Sequence, residues 1–307
     1  MRQAFQHAAA LPVQRLRQLD IDASTHPHGM SFLSAASGLV CRHGRAYVMA
    51  DDELHLAVFR DSAAPGRLHR VFAGELPEGK KARKKRKPDL ETLLWWPDPA
   101  GRPSLLALGS GSRANRQRGV RMMLDTQGEP LPEAQVFDLA PLYDVLRGEF
   151  GRLNIEGAFV SGDELVLLNR GLADGHDNAA LHYRVADVQA VIDGRPERPR
   201  PTQLRHYALP RIDGVSLNFT DGAALPGGGW AFTAVAEDTE RSVADGAFLG
   251  AVVGLVDAMG NIVALRSLAA TKVEGIDVQR VGSALQLCLV SDADDPAVPS
   301  LLLLARW

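Results

Sequence analysis

The sequence predicts an all-β fold, a five-bladed β-propeller closed by an N-terminal strand, on three observations. A short signature recurs as Ser37-Gly38-Leu39, Glu91-Thr92-Leu93, Glu156-Gly157-Ala158, Asp221-Gly222-Ala223 and Glu274-Gly275-Ile276, at intervals of 53 to 65 residues. That is the period of a small sheet repeated about an axis. After each signature, short apolar runs alternate with turn residues, the pattern of antiparallel strands. Finally, the last unit holds only three strand-like runs before Trp307, while an extra run at 13–21 stands ahead of the first signature. Such a strand would complete the last blade and pair its exposed edge. The whole of 1–307 is thus expected to be one propeller domain with blades starting near 37, 91, 156, 221 and 274; six blades, one hidden in the insertions, is the alternative.

Unit by unit, the first should place strands at 38–42, 45–50, 54–60 and 67–73, with His43-Gly44 as its first turn. The second, less regular, has candidates near 90–95, 104–108, 120–124 and 134–139. The third offers 156–160, 164–168, 180–185 and 203–209, and the fourth 221–225, 229–236, 247–257 and 261–268. The fifth offers 274–278, 284–290 and 300–306. Two short helices are expected between blades. One spans 138–147, with Asp138 as N-cap and Pro141 in its first turn, and the other 187–192. The Pro- and Gly-rich stretch 193–201 reads as a loop, because the repeat continues on both sides of it.

A chain of 307 residues that is 46% hydrophobic and 23% charged is globular. Its net charge of −3 argues against a general binder of nucleic acid or of anionic membranes. The exception is local: Lys80, Lys81, Arg83, Lys84, Lys85, Arg86 and Lys87 put seven cations into eight positions, and this block is expected to be a solvated loop between two strands. Cys41 and Cys288 lie in separate apolar runs with no second cysteine at metal spacing, so both read as core residues. Residues 1–20 lack an uninterrupted apolar segment and no later run is long enough to span a bilayer, which makes a cytoplasmic location the expectation.

The first strand of a propeller blade lines the central channel, so residues opening that strand form a ring at one mouth. Here the ring would be Ser37, Glu91, Glu156, Asp221 and Glu274. The second strand returns to the same mouth and adds Asp51-Asp52-Glu53, Ser110-Gly111-Ser112-Arg113, Asn169-Arg170, Glu237-Asp238 and Asp292-Ala293-Asp294-Asp295. Carboxylates ~8 Å apart at an effective dielectric of ~20 repel by about 2 kcal/mol per pair, so something must offset the ring. Oxygen ligands suit Ca²⁺ or, with more retained water, Mg²⁺. Alternatively no metal is present and Arg113, Arg170, Lys87 and Lys272 neutralise the carboxylates as a structural network. In the third option raised pKa values leave one carboxyl as a general acid. An acid before glycine can also simply set a turn repeated by duplication.

Other motifs carry less. Gly109-Ser110-Gly111-Ser112-Arg113-Ala114 has dinucleotide-like glycine spacing, but a polar run follows it and not an apolar helix; as a loop rich in N–H groups it suits an anion. His26, His28 and His176 beside Asp177 lack partners at metal spacing and read as loop histidines.

Four stretches carry a resemblance: Asn154-Ile155-Glu156-Gly157-Ala158, Lys272-Val273-Glu274-Gly275-Ile276, 232–238 with Asp245-Gly246, and 291–295. Over nearly the whole chain they resemble an uncharacterised family of bacterial propeller proteins. More distantly, the chain is similar to esterase-like phytase and calcium-dependent lactonase propellers, whose channel carries a metal with acidic ligands. It departs from those enzymes in having five repeats where they generally have six, and in Ser37 standing where a fifth carboxylate is expected. The resemblance implies a metal-assisted hydrolase of a phosphate ester, lactone or other small ester. Its expected ligands are Glu156 and Glu274 first, then Glu91 and Asp221, with Glu237 or Asp294 as general base and Arg113 with Arg170 holding a small anionic substrate. A non-catalytic ligand- or protein-binding propeller with a structural ion-pair ring is the competing expectation; neither a nucleic-acid nor a membrane partner is expected.

Overall fold

The computed structural model describes residues 9–60, 63–171, 178–238, 247–268 and 271–307, so His176, Asp177, Asp245 and Gly246 lie outside the described residues. Two short strands, β1 (Ala10–Leu11) and β2 (Val13–Gln18), precede the first blade, a meander of β3 (Ala36–Arg42), β4 (Arg45–Ala50), β5 (His55–Arg60) and β6 (Arg67–Arg70). Helix α1 (Lys80–Arg86) leads into the second, β7 (Leu90–Pro97), β8 (Pro103–Gly109), β9 (Arg118–Leu124) and β10 (Pro130–Asp138). After α2 (Ala140–Tyr143) and a 3-10 turn comes the third, β11 (Ile155–Ser161), β12 (Glu164–Asn169) and β13 (Asn178–Arg184), then α3 (Val185–Ile192) and β14 (Gln203–Tyr207). A two-residue strand β15 (Arg211–Ile212) opens the fourth, with β16 (Val215–Ala224), β17 (Trp230–Asp238), β18 (Ala247–Val256) and β19 (Ile262–Leu268). The fifth has β20 (Val273–Val281), β21 (Ala284–Ser291) and β22 (Leu301–Arg306).

The innermost strands β3, β7, β11, β16 and β20 contact one another in sequence and β20 returns to β3, which closes a ring of five blades; the six-blade alternative falls. Each blade packs face to face against both neighbours, so its second strand is covered on both sides. This is why β4, β8, β12, β17 and β21 read as nearly continuous apolar runs and not as alternating ones. The hydrophobic core accordingly divides into five clusters, one in each seam between blades.

Closure occurs as the sequence predicts. Strand β2 pairs antiparallel with β22, from Val13 opposite Ala305 to Gln18 opposite Leu301, and completes blade 5. Strand β1 adds a contact not foreseen, pairing parallel with β19 on the edge of blade 4. The N-terminal segment therefore ties two blades, with Leu11 and Leu19 buried.

The basic block departs from expectation. It is helical over Lys80–Arg86, not a loop, and the reason is that two of its cations have buried carboxylates to reach. Arg83 reaches Glu53 at 3.0 Å, and the Lys87 ammonium, just past the helix, lies between Asp51 and Asp89.

Candidate functional site

Every innermost strand carries a one-residue bulge at the same height, and the residue left unpaired is Ser37, Glu91, Glu156, Thr220 or Glu274. A bulge turns its side chain out of the pleat, here toward the channel mouth. Three carboxylates and two hydroxyls thus share the ring position. The hydroxyls donate to the next blade: Ser37 Oγ to the Leu90 carbonyl and Thr220 Oγ1 to the Val273 carbonyl, both at 2.8 Å. The residue after the bulge sits where neighbouring inner strands crowd. A Cβ on Gly38 would lie 2.6 Å from the Leu93 nitrogen, and one on Gly157 2.8 Å from Asp221 Cα, so the glycine of the signature serves close approach.

This register corrects one predicted ligand. In the fourth signature the bulge falls on Thr220, and Asp221 occupies the position that is glycine in blades 1, 3 and 5. Its carboxylate is buried and Oδ2 accepts from the Ile276 amide at 2.9 Å, so it joins blades 4 and 5 instead of the ring. Burial pushes its pKa well above the usual carboxylate range, against the backbone amides that bond it.

Two further positions complete the mouth. Two residues before the bulge stand Asp89, Asn154 and Lys272; just past the second strand stand Asp51, Ser110, Arg170 and Asp292. Their backbones pair, with the amides of Ser110 and Arg170 donating to the carbonyls of Asp89 and Asn154, each at 2.9 Å. Aligning the five signatures and reading two residues upstream would have found Asp89, which the sequence analysis missed.

The mouth has two electrostatic halves. Over blades 3 to 5, Lys272 Nζ meets Glu237 at 2.7 Å, Glu274 at 3.0 Å and Asp294 at 2.7 Å, while Arg170 meets Glu237 at 2.6 Å and Glu156 at 3.6 Å. Burial opposes ionisation of Glu237, but Arg170 and Lys272 outweigh it and hold the carboxyl below its ordinary value. Glu237 and Asp294, expected as general bases, are instead locked into ion pairs. Glu156 and Glu274, the expected first ligands, face the same two cations. Burial pushes Glu156 up to about 7 and raises Glu274 as well.

Over blades 1 and 2, Asp51, Asp89 and Glu91 each bring a carboxylate oxygen within 4.8 Å of the others. Lys87 pairs with Asp51 and Asp89, and Arg116 Nη1 donates to Asp89 at 2.6 Å. No hydrogen bond or ion pair from the described residues reaches Glu91, and burial, followed by Asp89 and Asp51, drives its pKa well above normal. Arg113, expected to hold an anion, is exposed; Arg116, three residues on, takes the inward position because the intervening 3-10 turn points it at Asp89.

Beside this trio, between blades 1 and 5 and under α1, lies a pocket of about 460 Å³. Met30, Phe32 and Pro296 form its apolar side, and Asp51, Asp292 and Lys87 its polar side. Asp292 is pushed up to about 8 by burial, with Lys272 opposing and Asp294 adding to the rise. The pocket rim is anchored by a histidine that sequence reading took for a loop residue. His26 Nδ1 accepts the amides of His28 and Met30, so its proton sits on Nε2, which donates to Glu53 at 3.2 Å. Despite burial, His55 and His26 beside its oxygens, with Arg83, hold Glu53 down at about 2.

A model of the family of unknown function DUF6929 matches residues 32–306. The chain belongs to that family. No protein of curated function matches the sequence. Among solved structures, a putative glycoside hydrolase from Parabacteroides distasonis is 12% identical with a TM-score of 0.51 and 97% of each chain covered. An α-L-arabinofuranosidase from Podospora anserina is 10% identical with a TM-score of 0.50, again with 97% of each covered. An α-L-arabinanase from Cellvibrio cellulosa is 12% identical with a TM-score of 0.50, covering 94% of this chain and 92% of that one. The chain also spans about half, 52%, of a Staphylococcus aureus phage tail fibre, at 10% identity and a TM-score of 0.48. At such identities the likeness speaks for the propeller fold alone. No helix among the described residues is long and apolar enough to cross a membrane.

Proposed function

We propose that this chain is a cation-binding propeller that uses a hard divalent ion, Ca²⁺ or Mg²⁺, to act on a small ester held in the pocket beside α1. The observation that carries the reading is the Asp51, Asp89 and Glu91 trio, with three carboxylate oxygens within 4.8 Å of one another and no ion pair to Glu91 among the described residues. Hard oxygen donors are the chemistry those ions take. Glu91 would supply the first ligand, Asp51 and Asp89 would share theirs with Lys87 and Arg116, and water or substrate oxygens would supply the rest. When bound, the ion polarises the reacting oxygen of a phosphate ester or lactone. The chain's own groups would do the remainder: Phe32, Met30 and Pro296 seat the apolar part of the ligand, and Asp292, raised to about 8, exchanges a proton near neutral pH.

A second reading, a non-catalytic binding propeller, is favoured by one feature. Lys272 and Arg170 already balance Glu237, Glu274 and Asp294 without any metal. Calorimetry separates the two. An ion present at 100 times its Kd stabilises the native state by about 2.7 kcal/mol, so added Ca²⁺ or Mg²⁺ should raise the Tm of wild type but not of Glu91→Gln. Hydrolysis of p-nitrophenyl phosphate, p-nitrophenyl acetate or a γ-lactone should then require the ion and fall in Asp292→Asn. A metal-free wild type, indifferent to both ions and inert toward all three substrates, would overturn the proposal and leave the binding module.

A further inference from the structure

The only two cysteines of the chain, Cys41 and Cys288, are 247 positions apart in sequence and come from different blades. Cys41 ends the outward half of β3 in blade 1, and Cys288 is in the middle of β21 in blade 5. The propeller closes at the seam between those blades, and both side chains are buried in the cluster that fills it, with Leu39, Val290 and Leu302. Three contacts fix them there. Cys288 lies directly opposite Asp277 in the β20–β21 ladder. The Asp277 Oδ2 accepts the Cys41 amide at 2.7 Å. Gln279 Nε2 donates to the Cys41 carbonyl at 2.5 Å, so two side chains from β20 hold the Cys41 backbone at both its amide and its carbonyl. Asp277, opposite Cys288 in its ladder and bonded to the Cys41 amide, thus brings the two cysteines together within one cluster.

We propose that Cys41 and Cys288 are a latent cross-link site, forming a reversible disulfide that joins blade 5 to blade 1 across the seam of the ring. The neighbouring Cys41, against burial and Asp277, lowers the Cys288 thiol below its ordinary value, which favours Cys288 as the attacking group. With a peroxide as oxidant, the Cys288 thiolate attacks one peroxide oxygen and the O–O bond breaks, leaving a sulfenic acid on Cys288 and releasing one water. The Cys41 sulfur then displaces the sulfenic oxygen, which leaves as a second water. Overall, two thiols and one hydrogen peroxide give one disulfide and two waters. The sulfurs lose two electrons, the peroxide gains them, and both thiol protons end in water. A neighbouring dithiol reverses the reaction by exchange. Because the bond spans nearly the whole chain, it constrains the unfolded state over a long loop and should stabilise the ring.

The test uses the full chain in its native fold. Protein treated with hydrogen peroxide should lose 2 Da, give a tryptic peptide linking residues 41 and 288, and melt higher than reduced protein, with dithiothreitol restoring both mass and Tm. Cys41→Ser and Cys288→Ser should show no Tm rise on oxidation. To guard against variants that fold poorly, free thiols of wild type are also counted after oxidation in the native state and then in denaturant. Two thiols still free after native oxidation, oxygen adducts without a link, or a linked protein that melts lower would each overturn the proposal.

Discussion

At the scale of single residues, the mouth is a set of buried charges that cannot be relaxed one at a time. Removing one member of a buried ion pair leaves its partners uncompensated, at a cost of about 3–5 kcal/mol. Lys272→Met withdraws one buried cation from Glu237, Glu274 and Asp294 at once, so urea denaturation should show a loss in that range. The pH dependence has a definite sign. Glu156 and Asp292 hold folded pKa values of about 7 and about 8, above the ordinary carboxylate range. The native state therefore binds more protons than the unfolded chain between roughly pH 4.5 and 8, and stability falls as pH rises through that window. Glu53 runs the other way: held at about 2, it contributes stability above its unfolded value that is lost as pH falls toward 2. Tm measured from pH 5 to 9 should decline, and the decline should flatten in Glu156→Gln and Asp292→Asn. A Tm that climbs across that range would contradict the burial of both groups. The fourth ring position shows why one residue was misread. Asp221 is acidic, precedes glycine and keeps the repeat period, but the bulge register assigns the channel to Thr220.

At the scale of elements, helix α1 and strand β2 carry opposite lessons. The basic block looked solvated because seven like charges have no apolar periodicity. Its helix nevertheless forms, since Arg83 and Lys87 find buried carboxylates and Arg116 and Asn115 bind its backbone carbonyls. Replacing the exposed Lys81, Lys85 and Arg86 by Gln should change stability by less than about 0.5 kcal/mol. Lys87→Met, by contrast, should cost about 3 kcal/mol or more by the same measurement. Strand β2 was legible because a three-stranded last unit demands a partner. Deleting residues 1–22 removes the buried Leu11, Leu19 and Ile21, each worth about 1.5–3 kcal/mol, and exposes the β22 edge. The truncated chain should melt far lower or self-associate in sedimentation experiments; a monomer of unchanged Tm would exclude closure by β2. Gly157→Ala tests the crowding of inner strands: its Cβ would press on Asp221 Cα at 2.8 Å, backbone that cannot swing away, and about 1–3 kcal/mol of stability should go.

Across the whole molecule, five seam clusters surround one channel, and the two mouths differ in chemistry. One gathers the acidic trio, the ion-pair network and the larger pocket. The other opens on a smaller cavity, about 200 Å³, lined by Leu39, Leu93, Phe159 and Ile276 together with Arg42 and Asp277. At the acidic mouth the repulsion among carboxylates is offset by cations in both halves, Lys272 and Arg170 over blades 3 to 5 and Lys87 and Arg116 over blades 1 and 2, and by raised pKa values of Glu156 and Glu91. Glu237 is paired with both Lys272 and Arg170, whereas Glu91 makes no hydrogen bond or ion pair among the described residues, which is why the cation site is proposed at blades 1 and 2 and not at Glu156 and Glu274.

What the sequence by itself determined is what repeats: the number of blades, the meander within each, the strand that closes the ring, and the mouth at which acidic residues gather. Repeated strands impose a period, and a period survives in one dimension. What only the tertiary structure decided is what passes between blades. Which of Thr220 and Asp221 faces the channel depends on a bulge register, which of Arg113 and Arg116 turns inward depends on a single 3-10 turn, and the meeting of Cys41 with Cys288 depends on the ring returning upon itself. Those relations are set by distances between residues far apart in the chain, and no local pattern of side chains encodes them.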